Sequence, residues 1–408
     1  MRRRKGLPIL AGVSLTAISL AALGGWLVRS SPVEPASPPV VGSSPIATPS
    51  SAVAGPPSPE PPSPSRIAAA VAETPPEIAG LSPASSISGP RIVDRLSRSE
   101  RVADAPTLLQ ACWTADQLRG ATDDRRAKKT ASDHPLSARA PLPAVSLPDE
   151  LRRSIRSVKP RNGEKLVALT FDLCERSRGI SGYDAALVDY LRDQRVKATF
   201  FAGGKWMRSH PDRTMQLMAD PLFELGNHTW THANLRMADG PEMHDQIART
   251  QVEYGALRER LLGSKCAGAW GDQAVGNVPA RLALFRFPYG ACDARALAAV
   301  NQSGLAAIQW SVVTGDPDKR QTAQAIARTV LSQVRPGSIV IAHANGRGWH
   351  TAEALPLIVP ELRARGYRFV TVSELLARGE VVAADSCYEL KPGDNLRYDR
   401  RSRASGKR

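Results

Sequence analysis

The sequence predicts an α/β domain built around a parallel β-sheet. From Lys165 onward, short apolar runs rich in Val, Ile and Phe alternate with longer segments of helical periodicity. Such alternation over about seven strand–helix units is typical of a parallel sheet. This number of units fits a barrel, and an open doubly wound sheet is the alternative.

The predicted elements follow one another along the chain. The strand candidates are Lys165–Phe171, Lys197–Phe201, Phe223–Asn227, Leu284–Phe287, Ala306–Trp310, Ser338–Ala342 and Tyr367–Val372. The helix candidates include Tyr183–Gln194, Glu242–Leu262 and Thr351–Arg365. In the second of these helices, one face that we expect to pack on the core carries Ile247, Tyr254, Leu257 and Leu261. Upstream, residues 105–120 and 147–158 are candidate amphipathic helices.

The N-terminal region differs in composition from the rest of the chain. The start MRRRKG and the apolar run Leu7–Val28 are typical of an export signal, and the run is long enough to span a bilayer. We expect an uncleaved signal anchor over residues 1–29, with a cleaved signal peptide as the alternative. This topology places the protein in the cell inner membrane as a single-pass protein, with its main domain on the periplasmic or extracellular side. Residues 30–90, rich in Pro, Ser and Ala, are expected to form a disordered linker.

The remaining boundaries follow from the same patterns. Residues 91–163 form an extension without an assigned role, residues 164–380 form the main domain, and residues 381–408 form a basic, solvated tail. The net charge is +15, but no helix-turn-helix, zinc-finger or RNA-binding signature is present, so no nucleic-acid partner is expected. No C-x-x-C pair occurs among the five cysteines, which argues against a structural zinc site of the usual spacing. The oligomeric state is not indicated.

Two histidines follow the third predicted strand. The strand FELGN runs into HTWTH, which places His228 and His232 four residues apart. On a helical turn, this spacing puts both imidazoles on one face and within reach of one metal ion. The alternative is a pair of surface histidines, but their position directly after a strand favours the metal site.

Other reactive side chains follow three more predicted strands. They are Asp172 in TFDLCE, Arg286 and Tyr289 in RFPYG, and His343 after SIVIA. The carboxyl ends of parallel strands form the catalytic rim of a barrel. This set of groups fits metal-assisted hydrolysis. It comprises an acid, a guanidinium that can orient it, a turn that can present a backbone N–H, and a histidine suited to acid catalysis.

These residues, from Lys165 to Leu376, resemble the NodB-homology polysaccharide deacetylase family, which is similar to carbohydrate esterase family 4. The family motifs T-F-D-D, H-[ST]-x-x-H, R-x-P-[YF] and L-x-L-x-H correspond in order to TFDL, HTWTH, RFPY and IVIAH. The fourth motif, W-x-x-D-x-x-D-W, keeps Trp310 and Asp316, but Val313 and Pro317 replace its first acid and last tryptophan.

The resemblance implies a distorted (β/α) barrel of about seven strands. It also implies a hydrolase that removes acetyl groups from an N-acetylated glycan: peptidoglycan, chitooligosaccharide or exopolysaccharide. His228 and His232 would hold a divalent metal, usually Zn²⁺, together with a carboxylate. The remaining implied roles are a base for Asp172, an orienting group for Arg286, an oxyanion donor for the Tyr289 N–H and an acid for His343.

Two departures from the family pattern bear on this assignment. Leu173 occupies the position of the family's metal-binding aspartate, so we expect Glu175 to be the third ligand, with Asp172 as the alternative. Val313 replaces an acid, so we expect His343 to lack the family's charge partner. A second function therefore stays open: a catalytically inactive NodB-like module that binds glycan. A metalloprotease is not favoured, because H-E-x-x-H is absent.

The cysteines are expected to form disulfides if the domain is exported. If the first and third motifs converge on one metal site, Cys174 and Cys292 lie close enough to pair. Cys112 and Cys387, which bracket the barrel, would then form a second bridge and leave Cys266 free. The competing pair is Cys266 with Cys292.

Overall fold

A computed structural model of the 408-residue chain describes residues 107–120, 124, 133 and 143–400. The expected membrane anchor (1–29), the expected linker (30–90) and the end of the basic tail lie outside the described residues. Within the described ranges, no helix has both the length and the apolar character needed to cross a membrane.

The described residues contain one sheet of ten strands. Its order is β10-β1-β8-β2-β3-β4-β5-β6, with β7 paired to β8 and β9 paired to β2. The strands are β1 (Ser154–Pro160), β2 (Leu166–Leu173), β3 (Ala198–Ala202), β4 (Phe223–Asn227), β5 (Leu284–Phe285), β6 (Ala306–Ala307), β7 (Val312–Val313), β8 (Ser338–His343), β9 (Arg368–Phe369) and β10 (Gly379–Ala384). All seven predicted strands are present, and β1, β7 and β10 are additional.

The sheet is mixed because β1 runs antiparallel to both β8 and β10, whereas the other pairs are parallel. The helix predicted over residues 147–158 is wrong, since β1 lies there. The β1–β10 register shifts between Ile155 and Ser157, and Ile155 and Val158 are both buried. This irregularity gives two core residues a helix-like spacing of three in a strand.

The sheet curls round toward its own first strand. Ile155 forms an isolated parallel bridge with Ile308, just beyond β6, and the Gln309 N–H donates to the Ile155 carbonyl over 2.7 Å. The result is a curled half-barrel of mixed strands with helices. The prediction of a barrel-like α/β domain is confirmed to that extent, and the alternative of an open doubly wound sheet is disfavoured.

Helices cover the sheet and connect its strands. They are α1 (Leu108–Cys112), α2 (Ala115–Leu118), α3 (Ala185–Asp193), α4 (Gly204–Ser209), α5 (Pro211–Ala219), α6 (Gly240–Leu262), α7 (Lys265–Gly268), α8 (Asp272–Asn277), α9 (Ala294–Gln302), α10 (Ala323–Gln333), α11 (Thr351–Ala364) and α12 (Val372–Ala377). The predicted apolar face of α6 is buried as expected. The single helix expected over residues 105–120 is instead two short helices, because Trp113 is extended and Thr114 caps a new start.

The disulfide predictions are wrong. The bridges are Cys112–Cys266, which joins α1 to α7, and Cys292–Cys387, and Cys174 is a buried free thiol. The buried residues of one apolar cluster include both Cys292 and Cys387, which explains why they meet. Although the first and third motifs lie at one site, the cysteines next to them, Cys174 and Cys292, do not pair with each other.

Candidate active site

Six predicted site residues lie together at the carboxyl ends of four strands. The strand β2 carries Asp172 and β8 carries His343, and these two residues are direct neighbours in the parallel register. The loop after β4 carries His228 and His232, and the turn after β5 carries Arg286 and Tyr289. The curl of the sheet thus brings the predicted motifs to one rim.

A buried ion pair fixes the position of Asp172. Arg286 is fully buried, and its guanidinium donates to Asp172 Oδ1 over 2.9 Å and to Thr170 Oγ1 over 2.8 Å. It also donates to the carbonyls of Ile308 and Gln309. Burial lowers the pKa of Arg286, and the Asp172 carboxylate opposes that shift. Because Oδ1 is held by Arg286, Oδ2 is left for chemistry.

The ring of His228 is oriented by the main chain. Its Nδ1 lies 2.8 Å from the Arg286 carbonyl, which can only accept, so Nδ1 carries the proton and the neutral ring has its lone pair on Nε2. Nε2 lies 3.6 Å from Asp172 Oδ2 and 3.5 Å from Cys174 Sγ. Burial opposes protonation, but nearby Asp172 and Cys174 raise the pKa of His228. Nε2 of His228 therefore lies beside two other potential metal ligands.

The histidine segment is a strained bend rather than the helical turn that the spacing suggested. Thr229 and His232 have φ of 64° and 58°, and Tyr289, whose ring packs 4.5 Å from that of His232, has φ of 61°. Such left-handed backbone costs about 1–3 kcal/mol per non-glycine residue and concentrates at functional sites. Nδ1 of His232 is buried without a hydrogen-bond partner in the described part of the chain, and burial lowers the pKa of this ring.

The sequence interpretation missed Cys174. Ligand atoms of Cys174, His228 and His232 lie within 4.8 Å of one another, and the same holds for Asp172, Cys174 and His343. Burial alone would raise the pKa of the Cys174 thiol, but His232 and His228 outweigh it and hold that pKa well below its usual value. The available signal was the two-residue period of a strand, which puts Asp172 and Cys174 on one side.

Glu175, the predicted third ligand, belongs to neither group of donors. Its carboxylate accepts from the Ser181 N–H over 3.0 Å and from the Ser209 hydroxyl over 2.6 Å, and the Lys205 ammonium lies 4.0 Å away. Burial raises the pKa of Glu175 to about 7 against the effect of these hydrogen bonds. Glu175 therefore belongs to a separate polar network with Ser181, Ser209 and Lys205.

The expectation that His343 lacks a charge partner is wrong. Asp316 Oδ1 lies 3.0 Å from His343 Nδ1, and Asp316 Oδ2 accepts from the His343 N–H over 2.7 Å and from Thr351 Oγ1 over 2.8 Å. Burial by itself would lower the pKa of His343, but Asp316 more than offsets it, so the pKa lies well above its usual value. The single acid retained from the fourth motif is sufficient to pair with this histidine.

The C-terminal segment covers the Tyr289 turn. The disulfide Cys292–Cys387 attaches it, and the buried Asn395 side chain donates to the Cys387 carbonyl over 3.1 Å. The ring of Tyr398 stacks on that of Tyr289 with centroids 4.9 Å apart. Tyr398, within the predicted solvated tail, thus forms part of one wall of the site.

Cys387→Ser is expected to lower the free energy of unfolding by about 2–4 kcal/mol, the usual effect of losing a native disulfide. It should also raise KM for the substrate, because the wall at Tyr289 loses its covalent attachment. Urea denaturation and steady-state kinetics measure the two effects. Cys112→Ser breaks the other disulfide and is the matched control, with a similar loss of stability and an unchanged KM. Equal KM values for both variants would contradict this role.

Comparisons with known proteins identify the family of the chain. Residues 159–260 match the polysaccharide deacetylase family. The chain is 30% identical over 220 residues to a peptidoglycan-N-acetylglucosamine deacetylase of Bacillus cereus, covering 53% of this chain and 90% of that protein. It is 30% identical over 204 residues to a chitooligosaccharide deacetylase of Bradyrhizobium sp., covering 46% and 82%. A solved peptidoglycan N-acetylglucosamine deacetylase aligns with a TM-score of 0.44 at 27% identity, over 55% of this chain and 93% of that chain. On the extent of these sequence matches, the chain belongs to the polysaccharide deacetylase family of hydrolases.

Proposed function

We propose that the protein is a metal-dependent hydrolase that removes acetyl groups from an N-acetylated glycan, such as peptidoglycan, chitooligosaccharide or exopolysaccharide. The observation that carries this proposal is the convergence of an oriented acid, two histidines and an acid-paired histidine at one sheet edge. The names of the relatives support the substrate class.

The donor set fits a divalent metal, for which we propose Zn²⁺. His228 presents an unprotonated Nε2, and His232 has a buried nitrogen without a partner in the described residues. These two side chains would hold the ion. When bound, such an ion polarises an acetyl carbonyl and makes a water molecule more acidic.

The protein's own groups then move the protons. Asp172, held by Arg286, accepts a proton from the attacking water. The Tyr289 N–H hydrogen-bonds the carbonyl oxygen as negative charge develops on it. His343, held by Asp316, donates its proton to the departing nitrogen. One water is consumed, acetate leaves, and the glycan keeps a free amine.

Acetate release from a panel of the three glycans, with Zn²⁺ supplied, tests the proposal directly. Release from at least one of them is the expected result. Glycan binding without release from any of them would instead support the catalytically inactive NodB-like module, the function that the replacement of the first-motif acid by Leu173 leaves open.

His343→Ala is expected to reduce turnover by about 10²-fold or more, the scale of a lost general acid, with little change in KM. Asp316→Asn should give a smaller loss, because the ring stays in place but loses its charge partner. Acetate release under saturating glycan measures both. His244→Ala alters an exposed histidine on α6 and is the control. A wild-type rate for His343→Ala would place the acid elsewhere.

We propose that Leu7–Val28 anchors the chain in the inner membrane, with the hydrolase domain on the periplasmic or extracellular side. Two disulfides among the described residues support an oxidising compartment. A reporter that is active only after export, fused after Arg91, is expected to be active. Activity of a cytoplasm-only reporter at the same position would contradict this topology.

A further inference from the structure

We propose that Cys174 is the third protein ligand of the metal centre, which makes the centre a Cys–His–His site. The inference rests on the proposed metal-dependent function and refines it, because it replaces the carboxylate expected from the family pattern with a thiolate.

The direction of the side chains after β2 excludes Leu173 and favours Cys174. Leu173, at the position of the family's metal-binding aspartate, is fully buried within the main apolar cluster. Side chains alternate along an extended segment, so the residues on either side of Leu173 share the opposite face. One is Asp172 and the other is Cys174, which belongs to both groups of potential ligands.

The separation of two of the three donors matches a tetrahedral zinc centre. Bond lengths of about 2.3 Å to sulfur and about 2.0–2.1 Å to nitrogen, at the tetrahedral angle, separate the two ligand atoms by about 3.5 Å. The observed separation of Cys174 Sγ and His228 Nε2 is 3.5 Å. A ring nitrogen of His232 lies within 4.8 Å of both atoms. Three protein ligands leave the fourth position open, as catalytic zinc sites require.

The other potential ligands near Cys174 already have partners. The other four cysteines are in disulfides, whereas Cys174 is free. The carboxylate of Glu175 is occupied by Ser181 and Ser209. Asp172 has one oxygen on Arg286 and is the base of the proposed reaction. Cys174 is therefore the donor that completes the site, and its thiol proton passes to solvent when the metal binds.

A thiolate changes which metal the site prefers. Soft sulfur ligands select Zn²⁺, whereas carboxylates suit Mg²⁺ and Mn²⁺. We therefore expect wild-type protein to discriminate strongly for Zn²⁺ over Mn²⁺. Cys174→Asp, which supplies a carboxylate, should reduce this discrimination, and Cys174→Ser should weaken Zn²⁺ binding by more than about 10²-fold, since even indirect partners of a metal site contribute about 10–100-fold.

Cobalt substitution of the stripped full-length protein provides the decisive readout. Wild type loaded with Co²⁺ should show a thiolate-to-cobalt charge-transfer band in the near ultraviolet. The band should be absent from Cys174→Ser and from Cys174→Asp and present in Glu175→Gln, the control for the neighbouring carboxylate. Circular dichroism verifies that each variant is folded, and Cys174→Asp remains informative if the serine variant does not fold.

The outcomes separate this inference from the proposed function. A cobalt-loaded wild type without the band, or a band retained in both Cys174 variants, overturns the ligand assignment. If acetate is nevertheless released by wild type, the deacetylase proposal stands without it. A band that depends on Cys174 in a protein that releases no acetate supports the ligand and overturns the activity.

Discussion

Asp172→Asn is expected to reduce acetate release by about 10³-fold or more while the domain stays folded, because the amide cannot accept the proton of the attacking water. Arg286 keeps its hydrogen bonds to Thr170 and to two carbonyls, so the guanidinium is not left without partners. Its charge does lose a buried counterion, which should reduce stability by about 3–5 kcal/mol at most. Turnover and thermal unfolding are measured on the same preparation.

Asp220→Asn provides the matched control for this substitution. Asp220 is also buried and also pairs with an arginine, Arg192, over 2.8 Å, but the pair lies outside the site. This variant should lose similar stability and keep its turnover. If both variants lost turnover equally, the loss in Asp172→Asn would be an effect of reduced stability. A wild-type rate for Asp172→Asn would show that Asp172 is not the base.

His228→Ala is expected to lose bound Zn²⁺ and, with it, acetate release. The substitution removes the ring whose Nδ1–H donates to the Arg286 carbonyl, which leaves Nε2 unprotonated for the metal. Metal content after dialysis, measured by mass spectrometry, and acetate release test this result.

His210→Ala is the control for the metal measurement. The His210 ring nitrogen also lies within hydrogen-bond distance of a backbone carbonyl, that of Trp206 at 3.2 Å, but His210 belongs to neither group of potential ligands. It should retain a full complement of metal. Full metal content in His228→Ala would contradict the assignment of that histidine.

The strands and the position of the site were predictable because both depend on local patterns. Buried strands such as β2 are continuous apolar runs, and reactive residues directly after them meet at one sheet edge. Asp172 on β2 and His343 on β8 are direct neighbours in the parallel register for this reason. Their placement required no knowledge of long-range packing.

The features that were missed depend on direction and distance between remote segments. Strand β1 carries a register irregularity that mimics helical spacing, and the partner of Cys292 is set by an apolar cluster rather than by the nearest motif. The two-residue period of a strand places Cys174 on the side of Asp172, but the hydrogen bonds that engage Glu175 come from Ser181 and Ser209 in later segments. Composition and spacing alone do not show such contacts.

The position of β1 in the sheet ties folding to the order in which the chain is synthesised. Its neighbours are β8 and β10, with Ser157 opposite Ser338 and Ser154 opposite Ala384. Until these late segments emerge, the early strand exposes unpaired backbone groups on both edges, which promotes association between nascent chains. A chain that stops before Gly379 lacks β10 and leaves one of those edges uncovered, so we expect truncation at this point to increase aggregation.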